Sequence, residues 1–255
     1  MQMIIIAGQA GVGKTTAAKI LAKEVFASGQ IPVLLSFAGP LKEEAEKRGY
    51  SKKEHPDKYR KYCQEIGLAR RKEDSDYWVK RFDDRVKGVI EKEKKDIEDK
   101  PKYWERVIIV DDCRYPNEVA YGILYNATLL FISAGERKIK DQDADWRNDA
   151  SEEMARSLDT GKDPMVELFS NVVFNDRTIK MLTKIIKDSS GIWSGVEVSC
   201  EDDDGCQCSV CAAKRNGELP LLDDVINDIM TMLREISLFE DDEEDEDETP
   251  EESNT

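Results

Sequence analysis

Residues 8–15 read GQAGVGKT, directly after the apolar run MIIIA (Met3–Ala7) and opening into KTTAAKILAKEVF, residues 14–26. The octet fits G-x-x-x-x-G-K-[ST] at every position, and a strand before it with a helix after it is the context that gives the pattern meaning. Glycines let successive backbone N–H groups turn inward around an anion, and the helix N-terminus adds its positive dipole end. Gly8, Ala10, Gly11, Val12, Gly13, Lys14, Thr15 and Thr16 are therefore candidate nucleotide-phosphate contacts. Lys14 supplies a point charge and the Thr15 hydroxyl a magnesium ligand.

Outward from that motif, short apolar runs alternate with helical spacing. Strands are expected at Met3–Ala7, Pro32–Phe37, Arg106–Val110, Thr128–Ser133 and Val172–Phe174. Helices are expected near Lys14–Ser28, Leu41–Arg48, Lys58–Ile66, Asp76–Glu98, Pro116–Tyr125, Glu152–Leu158 and Thr178–Lys187. Continuous apolar strands separated by helices argue a parallel sheet covered on both faces. Beyond Ser189 the composition turns to Gly, Ser, Asp and Cys, and residues 221–238 return to helical spacing.

Charge narrows the function classes. The net charge is −16 over 255 residues, but Glu240–Glu252 holds eleven carboxylates and no base, leaving about −5 for the remainder. No duplex-binding balance is present, and a charged run of this kind is expected to be disordered. No stretch is long and apolar enough for a membrane span, and MQMIIIAG does not read as a signal peptide, so a cytoplasmic chain is expected. The one histidine, His55, stands in the polar run KKEHPDK, which removes Ser-His-Asp chemistry and histidine-rich metal sites.

The motif alone does not name a reaction. A GTPase would carry a base-reading N-K-x-D segment after a later strand, where this chain reads SAGERK and FNDRT. A more telling stretch is DDCRYPNE, residues 111–118, four charges at the end of the buried run RVIIV. A carboxylate there, Asp111, can hold magnesium beside the phosphate loop, while Asp112 can cap the helix starting near Pro116. Arg114 opposes the dipole of that helix; held by Glu118 one turn on, it is placed to fork onto a substrate phosphate.

Four blocks together resemble the phage-type deoxynucleoside monophosphate kinases, of the P-loop nucleoside monophosphate kinase group, over roughly residues 3–187. They are GQAGVGKTT; SFAGPLKEEA, residues 36–45; YRKYCQEIGLARRKEDSDYWVKRF, residues 59–82; and VIIVDDCRYPNEVAY, residues 107–121, the most specific. FNDRTIKMLTKII resembles the family's closing strand, turn and helix. The resemblance implies a P-loop three-layer α/β/α fold with a parallel five-stranded sheet. A kinase domain would span residues 1–188, with a substrate-binding helical segment at about 40–104 and a lid at about 134–150. It also implies ATP and magnesium as cofactors, a deoxynucleoside monophosphate as acceptor, and the host cytoplasm as the compartment of a viral chain.

By matching position, Lys42 would approach substrate phosphate, Arg60 and Gln64 would line the acceptor pocket, and Arg70 or Arg71 would hold its phosphate. Trp78 would pack the pocket wall or stack on a base, and Arg114 and Glu118 would serve the acceptor. Arg137 and Arg147 would close over both phosphates as part of the catalytic set with Lys14, Asp111 and Arg114. Asp149-Ala150 stand where the family pattern has a histidine before Ser151-Glu152, and Leu68 stands where it has a hydroxyl residue after Gly67. Both departures leave the base preference open.

Residues 189–220 form a cysteine-rich appendage in which Cys200, Cys206, Cys208 and Cys211 lie within twelve residues. Four soft ligands this close can surround one structural zinc; free or redox-active thiols and disulfides are the other readings. A C-terminal helix at 221–238 and an acidic tail at 239–255 follow. The tail's partner and any homodimer are left open. Three functions fit the whole chain. These are a deoxynucleoside monophosphate kinase, a P-loop kinase for another small anionic metabolite, and a regulatory or assembly ATPase recruiting a protein partner.

Overall fold

The computed structural model describes residues 2–99, 104–135 and 148–175. Arg137, Arg147, the helix at 178–187, the four clustered cysteines, the 221–238 helix and the acidic tail lie outside the described residues.

Five strands, β1 (Gln2–Ala7), β2 (Ile31–Leu35), β3 (Arg106–Cys113), β4 (Thr128–Ser133) and β5 (Asn171–Phe174), form one sheet in the order β2-β3-β1-β4-β5. Every pairing is parallel. Among the described residues, six helices connect them: α1 (Lys14–Ala27), α2 (Gly39–Lys47), α3 (Pro56–Glu73), α4 (Tyr77–Asp99), α5 (Pro116–Leu124) and α6 (Glu153–Asp159). Short 3-10 turns at Ala150–Glu152 and Pro164–Leu168 flank α6. The α/β class and the parallel five-stranded sheet are as the sequence led us to expect.

Alternation along the strands splits the core in two. Met3, Ile5 and Ala7 of β1 join Ile108 and Val110 of β3 against Val79, Phe82 and Val86 of α4 and Val119, Ala120 and Tyr121 of α5. Ile4 and Ile6 face the other way, with Val107 and Ile109, onto Ala17, Ala18, Leu21 and Val25 of α1. Strands buried on both faces need apolar residues at every position, which is why MIIIA and VIIV show no polar alternation. A third cluster, Leu41, Ala45, Tyr62 and Trp78, ties α2, α3 and α4 into a helical unit beside the sheet.

The end of β3 departs from the expected strand, which stopped at Val110. Ile5 pairs with Val110 but Ala7 pairs with Cys113, so β3 carries one extra residue where β1 advances by two. Such a bulge re-aims side chains at a strand end. Because of it, Ile108, Val110 and Cys113 all face the same core cluster. Asp111 and Asp112 leave the strand between them.

The chain leaves β1 through α1 toward β2 on one side, and leaves β3 through α5 toward β4 on the other. Adjacent strands whose connections diverge open a crevice at their carboxyl ends, the usual ligand position in open parallel sheets.

Candidate active site

The loop between β1 and α1 turns on Gly8, Gly11 and Gly13, all at positive φ, of 139°, 83° and 110°. Gly8 admits no side chain: a Cβ there would stand 2.3 Å from the Ile132 carbonyl oxygen. The loop is further pinned by Asn175, whose Nδ2 donates to the Val12 carbonyl at 2.6 Å. Lys14 is folded against its own loop, with Nζ donating to the Gly8 carbonyl at 2.5 Å and the Gln9 carbonyl at 2.8 Å. Burial, reinforced by the nearby charge of Arg114, lowers its pKa from 10.5 to about 8. Thr15 is exposed, and Thr16 is half-buried one residue further along α1.

Thr15 and Asp111 line a common cleft of about 240 Å³, together with Ser36, Gly39 and Arg85. A hydroxyl at the start of α1 and a partly exposed carboxylate on the neighbouring strand are donor chemistry that suits magnesium. No group of three or more metal-ligating side chains occurs among the described residues, so a divalent ion here would rely on substrate oxygens and water for its remaining ligands.

Asp112 does not cap α5. Its Oδ1 accepts the Phe37 N–H at 2.8 Å, and its Oδ2 accepts from Ser36 Oγ at 2.6 Å, Ala38 N at 3.2 Å and Lys42 Nζ at 2.9 Å. Burial would raise the carboxyl's pKa, but the Lys42 charge and the hydrogen bonds from Ser36, Lys42 and Phe37 outweigh it and hold it below its ordinary value. Asp112 is thus the fastener of the β2–α2 connection. Lys42, expected on substrate phosphate, is held at the site's edge by this ion pair and by Ser36 Oγ at 2.7 Å.

The expected Arg114–Glu118 side-chain pair is not formed. Glu118 Oε2 accepts the backbone N–H groups of Arg114 at 2.7 Å and Tyr115 at 3.3 Å, satisfying donors at the start of α5. Its Oε1 receives Arg71 Nη2 at 3.0 Å. Glu118 is 1% exposed, and both its oxygens are engaged by Arg71 and the turn before α5. Burial pushes its pKa up to about 7 even against the opposing charge of Arg71. The Arg114 guanidinium turns instead to Glu152 Oε1 at 2.5 Å and Ser151 Oγ at 3.4 Å.

On α3 the two adjacent arginines separate. Arg71 points inward, its guanidinium carbon 3.8 Å from the centre of the Tyr115 ring. Arg70 is turned outward, paired with Glu73 at 3.1 Å, so of the two it is Arg71 that faces the β3 end. Gln64 is half-buried and Arg60 exposed on the same helix. Trp78 is fully buried, which leaves no open ring face for stacking on a base, and its Nε1 donates to the Gly67 carbonyl at 3.1 Å. It fixes α3 against α4 from behind.

Three participants were not singled out from sequence. Glu152 reaches the β1–α1 loop, its Oε2 accepting the Ala10 N–H at 2.8 Å. Asp159 accepts from Gln9 Nε2. Arg85, paired with Glu43 at 2.7 Å, brings a cation to the Thr15–Asp111 cleft. Only the Ser151-Glu152 pair carried any signal, as part of a resembling block.

Comparison with protein-family models gives no match, and no curated protein matches the chain. Among the described residues no helix is long and apolar enough to cross a membrane.

Proposed function

We propose that this chain transfers the γ-phosphoryl group of ATP to a deoxynucleoside monophosphate. One observation carries the reading. A glycine loop ending in Lys14 and an inward-facing arginine pair, Arg114 and Arg71, stand at the carboxyl ends of the adjacent strands β1 and β3 and beside α3. A donor-phosphate cradle facing a pair of acceptor-side guanidinium groups is what phosphoryl transfer between two anions requires. The sequence blocks around Lys42, Arg60, Gln64 and Arg71 favour a nucleotide as the acceptor.

In this reading the loop amides and Lys14 bind the donor phosphates. Thr15 and Asp111 would hold magnesium, which would supply charge neutralisation at the donor phosphates. Arg114 and Arg71 fork onto the acceptor phosphate, bringing its oxygen into line. A phosphomonoester with a second pKa near ~6 is already largely ionised at neutral pH, so its oxygen attacks without a general base. Glu118 keeps Arg71 aimed, and Asp112 keeps the β2–α2 connection in place. Arg137 and Arg147, from the sequence pattern, complete the proposed set.

The deciding experiment is acceptor-stimulated ADP release across a panel of ribo- and deoxynucleoside monophosphates and unrelated phosphorylated metabolites. Stimulation by deoxynucleoside monophosphates is expected. Stimulation only by another anion would make the chain a different small-molecule kinase, and ADP release indifferent to every acceptor would make it an ATPase.

A further inference from the structure

Glu152 is 3% exposed, and each of its carboxylate oxygens takes a donor that the proposed reaction needs for phosphate. Oε2 accepts the N–H of Ala10 in the glycine loop at 2.8 Å, and Oε1 accepts from Arg114 Nη1 at 2.5 Å. A second carboxylate from the same short helical segment, Asp159, accepts from the Gln9 side chain of that loop. Its other oxygen, Oδ1, is buried with no hydrogen-bond partner among the described residues. A loop built for anions is therefore held by anionic side chains.

A carboxylate, like a phosphoryl group, is an acceptor with spread negative charge, and it matches a guanidinium and a backbone N–H in the same way. The point between Ala10 on the donor side and Arg114 on the acceptor side is where a transferred phosphoryl group has to pass. A carboxylate left there would repel it in a water-poor site, where like charges interact strongly.

We propose, resting on the function inferred above, that Glu152 is the resting counterion of the transfer site. It occupies the place of the γ-phosphoryl at Ala10 while holding Arg114 beside it, and gives up both donors when ATP binds. No proton or covalent bond is exchanged; one acceptor replaces another. Arg114 then becomes available to the acceptor only after the donor nucleotide is seated, so the acceptor-side cation is withheld from an empty loop.

The test is calorimetric binding of magnesium-ATP and magnesium-ADP to the full chain and to Glu152→Gln, which keeps the shape and one acceptor oxygen but loses the charge. Glu152→Gln should bind ATP roughly tenfold tighter with ADP nearly unchanged, because only ATP brings the competing group. Equal or weaker ATP binding, or an equal gain for ADP, overturns the proposal. If thermal melting reports that Glu152→Gln is unfolded, Glu152→Ala carries the same expectation. A wild-type chain that binds no magnesium-ATP would overturn the proposed function and this inference with it. Wild-type binding without the ATP-selective shift removes the inference alone.

Discussion

Lys42 Nζ lies 2.9 Å from Asp112 Oδ2, joining α2 to the bulged end of β3 across seventy residues of sequence. The same carboxylate takes Ser36 and the backbone of Phe37 and Ala38, so one side chain sets the course of the β2–α2 connection. Asp112→Asn should cost about 2–4 kcal/mol, since a buried acceptor is exchanged for a group that must also place an NH₂, while half-exposed Lys42 loses only a partly screened partner. The folded carboxyl titrates below its ordinary value of 3.8. Its contribution is therefore present above that pH and lost as pH falls through the folded pKa. Urea unfolding at pH 7 and at pH 3 should show the mutant's deficit shrinking in acid; a deficit equal at both would argue against the ion pair as its source.

Lys14 gives a second pH signature. Its pKa of about 8, set by burial and by Arg114, means a substantial neutral fraction at pH 8.5, whereas bound polyphosphate favours the charged form. Nucleotide binding at pH 8.5 should take up protons, read as a dependence of binding enthalpy on buffer ionisation enthalpy. At pH 6.5 the lysine is already charged and contributes no uptake. Lys14→Ala should abolish the uptake at pH 8.5 and lower turnover by roughly 10²–10³-fold. Its melting temperature should stay within a few degrees, because a buried charge is removed along with its bonds.

Arg114→Lys keeps a charge for Glu152 but not a planar fork. The acceptor KM should rise by about tenfold or more, with the affinity for ATP changed far less. Parallel loss for both nucleotides would mean that Arg114 supports the loop alone.

Trp78→Phe should cost about 1–3 kcal/mol, for the indole hydrogen bond lost to the Gly67 carbonyl and for the volume lost in a closed cluster. Corrected for folded fraction, the acceptor KM should be unchanged, because the indole faces the core. A selective KM effect would return Trp78 to the pocket wall.

These assignments separate what local sequence carries from what it cannot. The runs MIIIA and VIIV and the GQAGVGKT motif announce the central strands and the loop because their signal is contained within a dozen residues. Thr128–Ser133 came out with both ends as expected. The third helix proved longer than its apolar spacing suggested, running through Glu73, because Arg70, Arg71 and Lys72 suit the C-terminal turn of a helix whose last face is solvated. The bulge at Asp111–Asp112 left no local trace; it is visible only in the register against β1. Glu152 escaped notice for the same reason, since its partner Ala10 is 142 residues away and a lone Glu before a short helix ordinarily reads as a dipole cap. Trp78 was ambiguous in sequence because an aromatic beside a pocket and one behind it have the same helical spacing. Only the packing of α2 and α3 decides between them.

The strand order has a consequence for how the chain reaches its folded state. β1 is made first yet lies in the middle of the sheet, and its partners arrive late: Met3 pairs with Ile108 and Ile4 with Thr128. The one strand made in the meantime among the described residues, β2, pairs with β3 and not with β1. During synthesis the MIIIA segment therefore waits for about a hundred residues with both edges unpaired. Such non-local parallel pairing slows folding and exposes the nascent chain to aggregation. The apolar residues that bury β1 at the centre of the finished sheet leave it an unpaired apolar segment in the unfinished one.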